Sequence, residues 1–452
     1  MLLINPVGEK FGGFLAPYMV IGMPAAIGIL AAYMGKHGHK VNVVDDEMEP
    51  LTEDNIENHV HNLPKPYVFG ISVLTAQVYR AYEITKMLKN KYPDCIIIMG
   101  GIHVTALPDE ALRKGADIVV RGEGEMTLRL VYEAILEGKE WREVDGISYR
   151  DESGVVKNTR DALLIENLDD IPMFPYHLFP SPRYDRGVLV SSRGCPYKCT
   201  YCASPFHWDR KTTRLRSPES VIEEMVHLKE NYWKGTNFDY SASANIGEKE
   251  TLKIEDNTIV YFVDDVFTVH KKRVKKLLRM MIDQKLKMRW KCEARADHLD
   301  DEICGLMAQA GCERVKIGFE SGSDRILSQV KKLETREDMM KGASMLKKAG
   351  VPFSAYFMAG FPGETDDDVK ETIDFAKKIE ADYYSLSVLA PYYGTELYDQ
   401  LIANGHALDQ QPWEYFFHQS PKPMVNDKIS NKVLQEYLAL VELNNKSNKG
   451  YI

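Results

Sequence analysis

Twice along this chain, apolar runs of strand length alternate with segments of helix length, and that alternation limits the fold more than any other feature. In the first series, residues 1–140, the strand candidates are Leu2 to Ile4, Val41 to Val44, Tyr67 to Val73, Cys95 to Met99 and Asp117 to Val120. Between them, Pro24 to Lys36, Thr52 to Asn62, Gln77 to Lys91 and Pro108 to Lys114 read as helices. Strands separated by helices form parallel β-α-β units with right-handed crossovers. The expectation for 1–140 is an α/β, Rossmann-like, doubly wound domain. Such sheets bind ligands outside the carboxyl ends of their strands, here Asn5-Pro6, Asp45-Asp46, Ser72 to Leu74, Gly100-Gly101 and Gly122 to Gly124.

Residues 141–186 read as a linker with a small β element, a hairpin around Asp151 to Gly154 followed by Pro172, Pro175, Pro180 and Pro182. Alternation resumes over 187–390, with strands at Val188 to Ser191, Ile259 to Val263, Met288 to Cys292, Arg314 to Phe319, Phe353 to Met358 and Tyr383 to Leu389. Six strands separated by helices predict a partial (β/α)6 barrel. The polar, aperiodic stretch Trp233 to Asp256 is expected to be a surface insertion. Residues 391–452 form a mainly helical C-terminal segment, with an amphipathic helix at Asn431 to Glu442.

Composition narrows the function. A net charge of −9 disfavours a nucleic-acid partner, because counterion release needs a basic surface. Seven cysteines in 452 residues are too few and too clustered for a secreted disulfide framework, which places the chain in a reducing cytoplasm. The uncharged stretch between Lys10 and Lys36 is long enough for a bilayer, but Pro17, Pro24, Gly12, Gly13, Gly22 and Gly28 interrupt it. It reads as a buried loop and core helix, not a transmembrane span. Met1 to Ile4 also lacks the basic start of a signal peptide.

Chemistry is concentrated in Cys195-x-x-x-Cys199-x-x-Cys202, directly after a barrel strand. Three soft ligands on one loop suit a metal centre. A cubane iron-sulfur cluster normally takes four thiolates, so three leave one iron open to a small molecule. The alternatives are a closed zinc site completed by His207, or three unrelated buried thiols. Cys95, Cys292, Cys304 and Cys312 lie in apolar patterns as core residues.

The cysteine motif, with Tyr201 before its last member, resembles the signature of the radical S-adenosylmethionine (SAM) superfamily. The similarity continues through Arg214 to Glu219, Phe262 to Phe267, Glu293 to Arg295, Gly318 to Gly322, Gly360 to Thr365 and Pro391 to Thr395. With the N-terminal domain, the chain to about residue 400 is similar to the cobalamin-binding branch of that superfamily. The resemblance implies a 4Fe-4S cluster on Cys195, Cys199 and Cys202 whose open iron chelates SAM. An external one-electron reductant then triggers a 5′-deoxyadenosyl radical that takes a substrate hydrogen. It further implies Arg295 at the methionine carboxylate, Glu320 at the ribose, Asp264 and Asp265 at the mouth of the second strand, and Gly360, Pro362 and Gly363 in a loop near the adenine. Val263-Asp264-Asp265-Val266 departs from the superfamily's Gly-Gly-Glu pattern at that mouth.

For the N-terminal domain, Ser72, Leu74 and Thr75, then Gly100, Gly101 and His103, then Arg121, Gly122 and Glu123 resemble the loops that receive the cobalamin nucleotide tail. Neither G-x-G-x-x-G after the first strand nor a P-loop is present. The Asp-x-His-x-x-Gly motif is absent too, so His103 is expected to hydrogen-bond and not to ligate cobalt. The implied activity is C-methylation of an unactivated carbon of a small-molecule or lipid-like substrate. The alternatives are ring formation or rearrangement on a lipid or tetrapyrrole-like substrate, or, outside catalysis, a cobalamin carrier or zinc-stabilised binding module. Tyr392, Tyr393, Trp413, Phe416 and Phe417 either line a substrate pocket or pack in the core.

Overall fold

The computed structural model describes residues 1–8, 22–180, 184, 187–204, 213–232, 259–416 and 425–442. It divides into two compact units whose main spans are Met23–Ser181 and Arg210–Ile452.

The first unit is built on one sheet. Its strands are β1 (Leu2–Asn5), β2 (Asn42–Asp45), β3 (Val68–Ser72), β4 (Ile96–Gly100), β5 (Ile118–Val120), β6 (Ile147–Arg150) and β7 (Val156–Asn158), in the order β2-β1-β3-β4-β5-β6-β7. The first five strands pair in parallel. Leu2, Leu3 and Ile4 are all buried, as a strand covered on both faces requires. Helices Ala25–Lys36 and Val78–Lys91 supply the longer crossovers, and Glu125–Leu136 joins β5 to the antiparallel β6. Strand order reverses between β1 and β3, so the ends of those strands flank the switch point where such sheets take ligands.

Two expectations are corrected in this unit. The β element assigned to a linker belongs to the sheet: Ile118 pairs with Tyr149 and Val120 with Ile147, both antiparallel. Without that addition β5 would present an open edge. The helix expected over Thr52 to Asn62 contracts to Ile56–Val60. Reciprocal bonds explain the loss, from Thr52 N to Asn55 Oδ1 at 2.8 Å and from Asn55 N to Thr52 Oγ1 at 3.3 Å. They offer the backbone a turn in place of a helical start. Among the described residues no helix is long and apolar enough to cross a membrane.

The second unit carries β8 (Gly187–Leu189), a short antiparallel ladder of β9 (Ser192–Arg193) with β10 (Arg214–Leu215), then β11 (Ile259–Phe262), β12 (Arg289–Ala294), β13 (Cys312–Glu320), β14 (Phe353–Ala359) and β15 (Tyr383–Val388). The six long strands form one parallel sheet in sequential order, β8-β11-β12-β13-β14-β15. This is the topology of an incomplete barrel. Phe262, Trp290, Phe319 and Phe357 are fully buried on one face. Phe319 and Phe357 both meet Phe375 of helix Asp366–Ile379 edge-on, and the Trp290 indole donates to Ala310 O at 2.9 Å beyond helix Asp301–Gln309. That face is the helix-covered one. Tyr261, Glu293, Lys316 and Tyr356 alternate with it in sequence and are only half-buried. The C-terminal helix spans Asn431–Leu438, and the expected insertion Trp233 to Asp256 lies outside the described residues.

Gly101 follows β4 at φ 105° and ψ 178°, a conformation essentially reserved to glycine. A Cβ there would lie 2.8 Å from Val73 O. Gly101→Ala is expected to lower stability by about 1–3 kcal/mol. Urea unfolding followed by far-UV circular dichroism checks this, and an unchanged midpoint would contradict it.

Candidate functional site

Gly194, at φ 88°, turns the chain out of β9 into the cysteine loop. Thr200 N donates to Val330 O at 3.0 Å and Cys202 N to Cys199 O at 3.1 Å, which fix the loop's return. The thiols of Cys195, Cys199 and Cys202 are free and half-buried. Burial pushes all three up, Cys202 to about 12, and the charges of the other two thiolates oppose ionisation of Cys202 further. In this loop, without a bound cation, the neutral thiol form is favoured, and a cation that binds the sulfurs would draw off their protons. Among the described residues no three His, Cys, Asp or Glu side chains converge as ligands of a single ion. His207, the fourth ligand of the zinc alternative, lies outside the described residues.

Two carboxylates at the end of β11 hold this loop. Asp265 accepts from Gly194 N at 3.0 Å and from Ser204 Oγ at 2.6 Å, so one side chain ties both ends of the cysteine motif. Asp264 is buried and accepts from Ser191 N at 2.7 Å and Ser192 Oγ at 2.8 Å. Both residues expected at the mouth of the second strand are thus engaged with the chain on either side of the thiols.

Arg295, expected at the methionine carboxylate, follows β12 and is likewise engaged within the chain. Its guanidinium grips Asp297 through Nε and Nη2, both at 3.0 Å, donates to Lys332 O at 3.0 Å and lies 3.6 Å above the Tyr197 ring. It is nearly inaccessible and already holds a bidentate carboxylate, that of Asp297. Glu320 ends β13 at φ 65°, beside a ladder irregularity that re-aims its side chain. Its Oε1 stands 3.5 Å from Lys332 Nζ, and the Tyr201 phenol hydrogen-bonds the same carboxylate. Burial alone would lower the Lys332 ammonium, but Glu320 and Glu334 outweigh it and hold it above its ordinary value. Sequence reasoning missed Lys332, because nothing in Val330 to Glu334 distinguishes a buried lysine from a surface one.

The loop at Gly360 closes on itself. Glu364 Oε2 accepts from Gly360 N at 2.6 Å and Phe361 N at 3.1 Å, while its buried Oε1 has no hydrogen-bond partner among the described residues. Burial therefore raises this carboxyl to about 7, with Asp368 adding to the rise. Asn426 locks the loop from outside, donating to Phe361 O at 2.6 Å and Glu364 O at 2.9 Å. Tyr393, Trp413 and Phe416 pack against one another in a core cluster with Phe361 and Leu389, and Phe417 lies outside the described residues.

In the first unit, Ser72 ends β3, exposed Leu74 and Thr75 follow it, and Val73 N donates to Gly100 O at 2.8 Å. His103 is buried with Nδ1 3.3 Å from Thr75 Oγ1, and burial lowers it to about 4, leaving a neutral imidazole. Gly122 N donates to Thr105 Oγ1 at 3.2 Å, and Glu123 is buried. Arg121, expected in a cobalamin loop, donates from its guanidinium to Thr159 O at 2.5 Å and Arg160 O at 3.3 Å, which secures the added hairpin. Sequence reasoning also missed Gln77. Its Nε2 donates to Pro6 O at 2.7 Å and Asn5 Oδ1 at 3.2 Å, and its Oε1 accepts from Leu74 N at 3.0 Å. One amide thus pins together the loops on both sides of the switch point.

The chain thus carries a parallel-sheet unit of the ligand-binding type and a partial barrel with a three-cysteine loop. The family described as the radical SAM superfamily matches residues 189–376, and the B12 binding domain matches residues 15–131. An uncharacterized methyltransferase of Pyrococcus horikoshii is 32% identical over 92% of this chain and 87% of its own length. The anaerobic magnesium-protoporphyrin IX monomethyl ester cyclase of Rubrivivax gelatinosus is 24% identical over 92% of this chain and 73% of its own. Among solved structures, the radical SAM methyltransferase TsrM of Kitasatospora setae, with cobalamin and a 4Fe-4S cluster bound, superposes with a TM-score of 0.72 at 18% identity, covering 90% of this chain and 75% of that one. The chain belongs to the radical SAM superfamily, in the branch that carries a B12-binding domain. It is a cobalamin-dependent radical SAM enzyme whose cofactors are a 4Fe-4S cluster, SAM and cobalamin.

Replacing Cys195, Cys199 and Cys202 together by Ala is expected to reduce the iron of anaerobically reconstituted protein to background, measured per chain with sulfide and zinc. Retained iron, or one zinc per wild-type chain, would contradict the cluster assignment.

Glu364 carries a pH dependence of known sign. Its folded value, about 7, is above the ordinary 4.5 of a glutamate, so the folded state holds the proton more tightly. Its contribution is complete below about 4.5 and is lost as pH rises through 7, by up to about 3 kcal/mol. Glu364→Gln should flatten the fall in urea midpoint between pH 5 and pH 8. An equally steep fall in the variant would contradict the assignment.

Proposed function

We propose that this enzyme methylates an unactivated carbon of a small-molecule or lipid-like substrate, supplied with electrons by an external one-electron reductant. The observation that carries the reading is the 32% identity to a methyltransferase across 92% of the chain. When bound, the cluster with SAM supplies one-electron chemistry, and cobalamin supplies a transferable methyl group.

The chain's own residues bind, orient and exclude water. Cys195, Cys199 and Cys202 hold the cluster and leave one iron open, while Asp264 and Asp265 keep the loop in shape from β11. Tyr201, Glu320 and Lys332 border the loop with a buried hydrogen-bonding cluster suited to the polar parts of SAM, and the Gly360 loop flanks the adenine. In the first unit, Ser72, Leu74, Thr75, Gly100 and Gly101 border the nucleotide tail of cobalamin, and neutral His103 hydrogen-bonds within the loop without ligating cobalt. Seven free cysteines suit a reducing cytoplasm.

Ring formation is the second reading, favoured by the 24% identity to the Rubrivivax gelatinosus cyclase. Product stoichiometry separates the two. Methylation is expected to consume two SAM per turnover and yield S-adenosylhomocysteine and 5′-deoxyadenosine in equal amounts, whereas ring formation yields only the second. Both products would be quantified anaerobically with a strong reductant and candidate lipid, tetrapyrrole and peptide substrates. Substrate-dependent deoxyadenosine without matching homocysteine product overturns methylation.

A further inference from the structure

Of residues 195–202, which carry the three thiols, only Pro196 and Lys198 are exposed, and they mark where the cysteine loop meets solvent. Two other segments join the loop at this edge. The Arg295 guanidinium, stacked on the Tyr197 ring, has its Nη2 3.4 Å from Leu333 O. Leu333 is 72% exposed, the most open large apolar side chain among the described residues. Its φ of 56° and that of Lys331 at 55° are left-handed, a conformation such residues seldom adopt. Lys331 is exposed next to Val330, whose carbonyl accepts from the Thr200 amide of the loop, and it pairs with Glu396 at 2.5 Å. On the other side, Asp297, gripped by Arg295, presents its carbonyl oxygen to Lys271 Nζ at 3.5 Å. The Tyr197 hydroxyl reaches the same turn, 2.5 Å from His298 Nε2.

Helix stability does not account for the lysines. Lys271 and Lys272 stand in the first turn of helix Lys271–Asp283, which holds no acidic residue there, although a helix start favours anions. Lys198, Lys271 and Lys272 are exposed and have no carboxylate within salt-bridge reach among the described residues. An exposed leucine among lysines attracts an acidic protein, and a chain of net charge −9 repels the same protein elsewhere, so the patch also orients it. Electron-transfer partners meet through small, weakly held interfaces steered by charge. The electron crosses best where its donor stands nearest the acceptor, which here is the exposed edge of the three-thiol loop.

We propose that Pro196, Lys198, Lys271, Lys331 and Leu333 form the docking surface for an acidic electron-carrier protein, with Leu333 as the apolar anchor. One electron passes from carrier to cluster: the carrier is oxidised by one electron, the cluster is reduced by one, and no bond is made or broken. The proposal rests on the reading that an external reductant supplies the electrons, and it names the chemistry of that partner and its place on the chain.

The test is the rate of cluster reduction in the cluster- and cobalamin-loaded enzyme, enriched in Mössbauer-active iron and read by freeze-quench Mössbauer spectroscopy. Reduced flavodoxin and reduced ferredoxin, both acidic, are the probes. At least one should reduce the cluster. Lys198→Glu combined with Lys271→Glu should slow that reduction about tenfold at low salt, and Leu333→Asp should slow it as well. The difference should narrow as the screening length falls from about 30 Å at 0.01 M to about 8 Å at 0.15 M salt. Methyl viologen radical, a small cationic reductant, should reduce every variant no more slowly than wild type. Lys347→Glu, about three turns along helix Arg336–Ala349, should keep the wild-type rate with the protein donors. Reduction by neither carrier, a rate unmoved in the double variant, or equal slowing with methyl viologen or in Lys347→Glu overturns the proposal. If Lys198→Glu loses iron, Lys271→Glu combined with Leu333→Asp decides by the same readings. Cluster reduction is read apart from the products, so ring formation in place of methylation leaves the docking surface standing.

Discussion

Parallel pairing puts the carboxyl end of every strand on one edge of its sheet, and the functional groups of this chain follow from that constraint. A parallel sheet buries both faces, so polar chemistry is excluded from most of its length and gathers where the strands stop. In the first unit the ends of β1 and β3 flank the reversal of strand order, and Gln77 bridges them. In the second, the end of β11 supplies two carboxylates, β12 leads into Arg295, and β13 ends in Glu320. The barrel's inner face is the exception to burial, and there the polar residues sit on the strands themselves.

The charged groups beside the cysteine loop form a single system. Arg295 and Lys332 are opposed by Asp297, Glu320 and Glu334, all within salt-bridge reach of one or the other. Removing one member of such a buried pair costs about 3–5 kcal/mol, because its partner is left charged and desolvated. The arrangement therefore resists single substitution, and it surrounds the thiols with fixed charge that has little freedom to reorganise. At Cys199, burial and Glu320 oppose ionisation while Lys332 and Arg295 ease it, and the thiol stays raised.

Strands β1 to β5 and the six barrel strands were legible in the sequence because each is an uninterrupted or alternating apolar run bounded by turn residues. The hairpin of β6 and β7 was legible as a hairpin but not as part of the sheet, since joining an edge depends on pairing across distance. Thr52 and Asn55 shortened a helix by a local bond that periodicity does not register. At the site, the thiols were readable from spacing alone. The partners of Arg295, Asp264 and Arg121 were not, because each found its acceptor or donor within the protein, and a sequence shows which groups can bind without showing which reach. Lys332 and Gln77 had no signal: a lysine among charged neighbours and a glutamine at a helix start are ordinary surface patterns.

Asp264 and Asp265 are neighbours in the chain, yet one secures Ser191 and Ser192 and the other Gly194 and Ser204. A slip of one residue in β11 would aim each carboxylate at the other's partners, so strand register and the shape of the cysteine loop are decided together. The link from Gly194 to Asp265 spans 71 residues of chain. Contacts of such separation close late in folding. On the ribosome, the thiols emerge well before the carboxylate that holds their loop, and a nascent chain displays three unorganised cysteines until β11 has docked beside β8. The shape of the three-thiol loop is therefore a product of the finished β8-β11 pairing and not of the cysteine motif alone.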